Sequence, residues 1–172
     1  TDAKQIQGLK LALSTSNTLG GIDQSAYSWW QANVDASTST LTIAAMQGMY
    51  GDCGEGTEYP DLIVSDQDNF DRYYALLQPS QRFAAEDMAK GGFKSLQFNG
   101  IPCVVDAACA AGDMYFLNTD YITLSPHKDE NFRLEPFIKP VNQNVKLAKI
   151  FWMGALTHTN SRRQGLLDAI TA

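Results

Sequence analysis

Apolar and polar positions change period several times along this chain, and each change marks an element. Residues 3–14 (AKQIQGLKLALS) set Ile6, Leu9 and Leu13 at helical spacing, which predicts a helix running into the polar, glycine-rich loop 14–21. Residues 27–34 (YSWWQANV) predict a strand. Neighbouring strand side chains face opposite ways, so Trp29 and Trp30 would then need cover on both faces at once. Residues 41–50 (LTIAAMQGMY) predict a helix with Thr42 as its N-cap and with Ile43, Met46 and Tyr50 on one face. After the loop 51–60, the apolar run DLIV (61–64) reads as a short buried strand. Ser65 opens SDQD, a capping box with Asp68 in place of the usual Glu. The helix it starts runs to about Leu77, is expected to bury Phe70, Tyr73, Tyr74 and Leu77, and is stopped by Pro79.

The second half reads as strands. In SLQFNGIPCVV (95–105), Asn99-Gly100 between two apolar runs predicts a hairpin with a type I′ turn. Pro102 has no N–H to donate, which places its arm at a sheet edge. MYFL (114–117) and YITL (121–124) predict two short strands joined by a turn at 118–120. FRLEPFIK (132–139) and VKLAKIFWMGALTHT (145–159) predict longer extended segments, the second alternating for much of its length. No internal repeat is visible. Helices and strands follow one another without a regular βαβα cycle, which predicts an α+β fold with mostly antiparallel pairing.

Composition narrows the function classes. The 172 residues are 44% apolar and 10% aromatic, which fits a folded domain rather than a disordered chain. The net charge is -6, and Arg162-Arg163 is the only adjacent basic pair, so no phosphate-binding footprint is present. No apolar run approaches the roughly 20 residues of a membrane span. Three cysteines, an odd number, do not make a disulfide framework and point to a reducing cytosol. The sequence begins at Thr1 without an initiator Met, which is expected of a processed or truncated piece.

Catalytic chemistry finds no constellation. Cys103 and Cys109 do not have knuckle spacing, and no HxxxH partner accompanies them, so no metal is assigned and all three cysteines read as ordinary thiols. The acids Asp52, Glu55, Glu58 and Asp61 lack calcium-loop spacing and read as a solvated loop and a helix entry. There is no GxSxG elbow, and no glycine pattern for a nucleotide or other cofactor. Cys53, Cys103 or Cys109 paired with His127 or His158 would make a small Cys/His enzyme, but both histidines read as surface residues. The unusual feature is aromatic. Trp29-Trp30 and Phe151-Trp152 each set large rings on two faces of a predicted strand. Either helices and loops of the same chain cover them, or neighbouring subunits do.

Four segments occur in order that carry a family likeness: LGGIDQSAYSWWQANVD (19–35), PDLIVSDQDNFDRYYALLQP (60–79), GDMYFLNTDYITL (112–124) and PFIKPVNQNVKLAKIFWMGALTHTNSRRQG (136–165). Together they resemble the C-terminal portion of the tailed-bacteriophage major capsid proteins, over nearly the whole chain. The resemblance implies the Hong Kong phage-type capsid fold, with an axial domain and a peripheral domain of a spine helix and a narrow antiparallel sheet. It implies residues 1–39 as a peripheral-domain part holding the end of the spine helix and a strand. Residues 40–112 would be the axial domain, and 113–172 the peripheral strands and return segment. The family's N-terminal arm and most of its extended loop have no counterpart here.

The function so implied is that of a non-enzymatic shell subunit, without metal or cofactor. It would self-assemble into hexamers and pentamers of an icosahedral phage or prophage head, in the host bacterial cytoplasm, and reside in the virion. Scaffolding or decoration proteins would be its partners, and packaged double-stranded DNA only a weak, nonspecific neighbour, with no membrane contact. Trp29, Trp30, Phe151, Trp152, Arg162 and Arg163 are the expected interface residues, the two arginines either pairing with a neighbour's carboxylates or forming a solvated basic spot. An encapsulin-like compartment shell is the alternative within the same fold.

Overall fold

Side-chain amides, rather than continued helix, close the first element. The computed structural model describes residues 6–77 and 96–171. Its first helix, α1 (Leu9–Ala12), is a single turn. Asn17 Nδ2 donates to the Leu11 carbonyl at 3.1 Å and Gln24 Nε2 to the Ala12 carbonyl at 3.1 Å, so the last carbonyls are satisfied without another turn. The helix expected over 3–14 is therefore shorter than its periodicity suggests, with residues 1–5 outside the described range.

A tight hairpin follows, β1 (Thr18–Leu19) and β2 (Ile22–Asp23), turning at Gly20-Gly21. The expected YSWWQANV strand does not form. Ser28–Trp30 is a 3-10 turn, and only β3 (Asn33–Asp35) is extended and paired. Local polar groups take the backbone first. Asp23 Oδ1 accepts from the Ser25 N–H at 2.8 Å, and Gln31 Nε2 donates to the Thr15 and Gln24 carbonyls at 3.1 and 2.8 Å. Such side-chain bonds favour turns over ladders.

Helix α2 (Ile43–Asp52) starts where Thr42 predicts, its hydroxyl accepting from the Ala45 N–H at 3.1 Å. Its buried face is Met46, Met49 and, just past its end, Cys53, while Ile43 is exposed and Tyr50 half-buried. The run DLIV gives β4 (Leu62–Ser65). Ser65 stays in this strand, and the cap passes to Asp66, whose Oδ1 accepts from the Asn69 N–H at 3.1 Å above α3 (Gln67–Leu77). Phe70 and Tyr73 are buried as expected, but Tyr74 points outward. The stop at Pro79 lies outside the described residues.

The Asn-Gly hairpin is present. β5 (Leu96–Phe98) and β6 (Ile101–Val105) close on Phe98 opposite Ile101, with Asn99 and Gly100 both at positive φ, 50° and 83°. Pro102 does not mark an edge, however: β6 is internal, flanked by β5 and β4. The ring is tolerated because pairing with β4 begins only at Cys103, and because Pro102, one step from the closing pair, faces its missing donor away from β5.

The next strands are β7 (Met114–Leu117), β8 (Ile122–Pro126), β9 (Arg133–Leu134), β10 (Ile150–Phe151), β11 (Gly154–His158) and β12 (Gly165–Leu167). Six strands form one mixed sheet in the order β3-β12-β7-β4-β6-β5. Most pairings among the described residues are antiparallel, with β3–β12 and β4–β6 parallel, in an α+β arrangement.

Alternation along the central strands fills two cores. Met114, Phe116, Ile63 and Leu167 meet α2 and α3 through Met46, Met49, Phe70 and Tyr73. On the opposite face Tyr115, Leu117 and Leu166 pack with Ala12, Leu13, Leu19 and Ala32. The strand with two covered faces is thus MYFL, buried at all four positions, as a continuous apolar run requires. Gly165 lets α2 come close to β12: a Cβ there would sit 2.5 Å from Cys53 Sγ.

Candidate interaction surface

The three cysteine thiols are all raised by their surroundings. Burial pushes the Cys53 thiol up to about 12 and the Cys103 thiol up to about 11. Cys109 is also raised to about 11, by burial and by the carboxylates of Asp113, Asp66 and Asp106. An activated thiol needs the opposite, an electropositive surrounding. A pocket of about 330 Å³ lies beside Cys109, lined by Leu9, Lys10, Asp106 and Tyr115 among others, and no histidine faces it. His127 is exposed, and its Nδ1 accepts from the Asp129 N–H at 3.2 Å. His158 is not the surface residue its polar neighbours suggest: it is buried, and its Nε2 meets no hydrogen-bond partner. Among the described residues, no group of three His, Cys, Asp or Glu side chains is arranged to hold a metal ion. No described helix is long and apolar enough to cross a membrane.

A partly buried ionic cluster forms a clasp. Asp113 is fully buried, and Lys10 Nζ donates to it at 3.0 Å while the Tyr115 hydroxyl donates at 2.8 Å. The same ammonium reaches Asp168 at 3.0 Å. Burial raises the Asp113 carboxyl, the Lys10 hydrogen bond holds Asp168 low, and the two carboxylates together raise Lys10 against its own desolvation. The clasp ties α1 to β7 and to the end of β12.

Four of the six residues expected at an interface meet in space. The turn carrying Trp29 and Trp30 lies against the 3-10 turn Ser161–Arg163, and Asn33 Nδ2 links them by donating to the Arg162 carbonyl at 2.7 Å. Because the tryptophans sit on a tight turn, they diverge. Trp30 packs into the core around α1 and donates from Nε1 to the Leu19 carbonyl at 3.3 Å. Trp29 is 55% exposed and lies between Tyr27 and Trp30, both ring centroids at 5.8 Å and both rings tilted to its own by about 55°. Arg163 finds carboxylates within its own chain, Glu55 at 3.2 Å and Glu58 at 3.5 Å. Arg162 is exposed.

Phe151 and Trp152 lie elsewhere, on an arm spanning residues 122–158. Here β8 pairs β11 and β9 pairs β10, and an isolated bridge joins Ile138 to Leu147 beyond them. The result is a two-stranded antiparallel ribbon. Its local aromatic contacts are few: Phe132 and Trp152 lie 6.4 Å apart, and the Arg133 guanidinium sits 5.4 Å from the Phe151 ring centre. Among the described residues, Ile122 at its root is the one arm residue that joins either core. Phe132, Leu134, Phe137, Ile138 and Ile150 are all exposed, and Val141 at the tip is wholly so. A two-stranded ribbon is marginal alone in water, and apolar patches of this kind mark interaction sites. The extended segments expected over 132–139 and 145–159 are present as the shorter strands β9, β10 and β11, and the exposure of Phe132, Leu134, Phe137 and Ile138 is not foreseen from the pattern, because alternation looks the same whether the apolar face meets a core or solvent.

Comparison with known proteins gives the fold a counterpart. No family model and no curated protein matches the chain. Among solved structures, a chain of the cyanophage A-1(L) capsid asymmetric unit superposes with a TM-score of 0.67 at 19% identity, over 97% of this chain. The match spans 60% of that longer chain's length. The protein therefore has a phage capsid-like fold.

Proposed function

We infer that this protein is a structural subunit of a bacteriophage head, one copy among many in a self-assembled icosahedral shell around packaged double-stranded DNA. The observation that carries the reading is the arm. Among the described residues it exposes large apolar side chains on a two-stranded ribbon, in a chain whose fold matches a capsid chain. Thiols raised by burial, with no histidine facing the Cys109 pocket, favour a structural role over an enzymatic one.

In the finer reading the subunit is of the Hong Kong type, from a tailed phage or prophage. Residues 1–39 and 113–172 form the peripheral part and 40–112 the axial part. Hexamers and pentamers assemble in the host cytoplasm and persist in the virion, with scaffolding or decoration proteins as partners. DNA is touched weakly, since the net charge of -6 disfavours tight binding to phosphate. Each interface is modest, and repetition around a closed shell makes it stable.

Electron microscopy of the full-length protein, alone and with its scaffold, tests this. Closed shells with five- and six-fold clusters are expected. A protein that stays monomeric under both conditions overturns the reading, and shells filled with enzyme cargo instead of DNA in the host would redirect it to a compartment shell.

A further inference from the structure

Asn99 is the one asparagine of nine that precedes a glycine. The pair forms the two-residue loop between β5 and β6, with φ of 50° and 83°, and both residues are exposed at the hairpin tip. Because residue 100 has no Cβ, nothing on it obstructs the Asn99 side chain from folding back onto the next backbone nitrogen. Two features oppose that movement. The loop is held by its closing pair Phe98–Ile101, and Asn99 Nδ2 donates to Gln47 Oε1 on α2 at 2.9 Å.

We propose that Asn99-Gly100 is a latent deamidation site and that Gln47 restrains it. In the reaction the Gly100 nitrogen gives its proton to hydroxide and attacks Asn99 Cγ. The new C–N bond closes a five-membered imide, the Cγ–Nδ2 bond breaks, and Nδ2 leaves as ammonia after taking a proton from water. Water then opens the imide at either carbonyl, giving aspartate or isoaspartate. The net change is one water consumed and one ammonia released, with no oxidation or reduction, and solvent at the exposed tip supplies both water and hydroxide. While Nδ2 stays on Gln47, Cγ cannot swing over the Gly100 nitrogen, so conversion waits for that bond to open.

The consequence reaches inward. Isoaspartate adds one methylene to the backbone of a loop whose register fits two ordinary residues. Its neighbour Phe98 is buried, edge-on to Tyr50 and Tyr73 with centroids at 6.1 Å each, and the Tyr73 hydroxyl donates to the Gln97 carbonyl at 2.7 Å. A lengthened turn therefore pulls on a core ring. This chemistry belongs to the single chain and holds whether or not copies assemble.

Peptide mapping of the folded full-length protein tests it. The protein is kept at mildly alkaline pH, sampled over days, digested in acid and read by mass spectrometry for the amide-to-acid mass gain at Asn99, with fragmentation that separates isoaspartate from aspartate. A synthetic peptide of residues 96–102 gives the unrestrained rate. The wild type is expected to convert at about one-tenth of the peptide's rate, because the turn must first open. Gln47→Ala, on an exposed helix face, removes the acceptor and should raise the rate about fivefold. Gln47→Glu keeps an oxygen acceptor and should stay within about twofold of the wild type, which separates this bond from a general loosening of α2. Wild-type conversion as fast as the peptide's, or Gln47→Ala at the wild-type rate, overturns the proposal. Equal acceleration by both Gln47 variants does the same, as does an intact Asn99 in Gln47→Ala after the peptide has fully converted.

Discussion

Two adjacent tryptophans show how much depends on the local backbone. On a strand, Trp29 and Trp30 would share the burden of packing on two faces. On the 3-10 turn the structure adopts, Trp30 is turned into the α1 core with its indole N–H bonded to Leu19, and Trp29 is left largely in solvent. The two should therefore respond differently to truncation. Trp30→Ala removes a half-buried ring and a satisfied hydrogen bond, and should destabilise the unassembled subunit by about 3 kcal/mol. Trp29→Ala should cost the same fold less than about 0.5 kcal/mol, in line with surface substitutions. Urea-denaturation midpoints at equal m-value measure both. Equal losses at the two positions would mean that the turn is not the conformation in solution. Should Trp29→Ala spare folding and impair association, its exposed ring belongs to a contact between copies.

Elements were legible where one local signal had no competitor. Thr42 before an apolar-periodic run, Asn-Gly between two apolar runs, and the DLIV strand each gave an element within a residue or two of its bounds. Legibility failed where side chains competed for the backbone. Gln24, Gln31 and Asn17 take carbonyls that a strand or a longer helix would have used, and Asp66 takes over the cap from Ser65. The arm was half legible: its strands are visible in the alternation, its lack of a core is not. One consequence sits at the arm's root. His158, at the end of β11 opposite Ile122, is buried, and burial lowers its imidazole below the ordinary range. The folded state thus holds it neutral, while the unfolded chain binds a proton at about pH 6.5. Stability from this group is fully present above that value and is lost as pH falls through it toward the lower folded value. Lowering the pH from about 7.5 to about 5 should reduce the urea midpoint of the wild type more than that of His158→Gln, which has no proton to take up. Parallel pH profiles for the two proteins would show that His158 is already solvated in the folded state.

At the scale of the whole molecule, stability is unevenly distributed, and the unevenness suits the proposed shell role. The six-stranded sheet is sandwiched between two apolar layers, and its β7 amides lie between β12 and β4 with both faces covered. The arm has backbone bonds of ordinary length, such as Glu135 N–H to the Lys149 carbonyl at 2.8 Å and the reciprocal Ile138–Leu147 pair at 2.8 Å, but among the described residues neither core reaches them. Local opening costs least where few apolar contacts are lost. In the unassembled subunit the arm amides at Glu135, Ile138 and Leu147 should therefore exchange with deuterium far faster than those of β7 and β4. If the proposed assembly covers this marginal segment with a second copy, the same amides should slow strongly on assembly while β7 changes little. Hydrogen-exchange mass spectrometry on unassembled and assembled protein separates the outcomes. Arm protection that rises with assembly means that the ribbon is completed by its neighbours. Arm amides as slow as β7 before assembly, or unchanged by it, would mean that the ribbon is a finished element and that the contacts holding the shell lie elsewhere on the body.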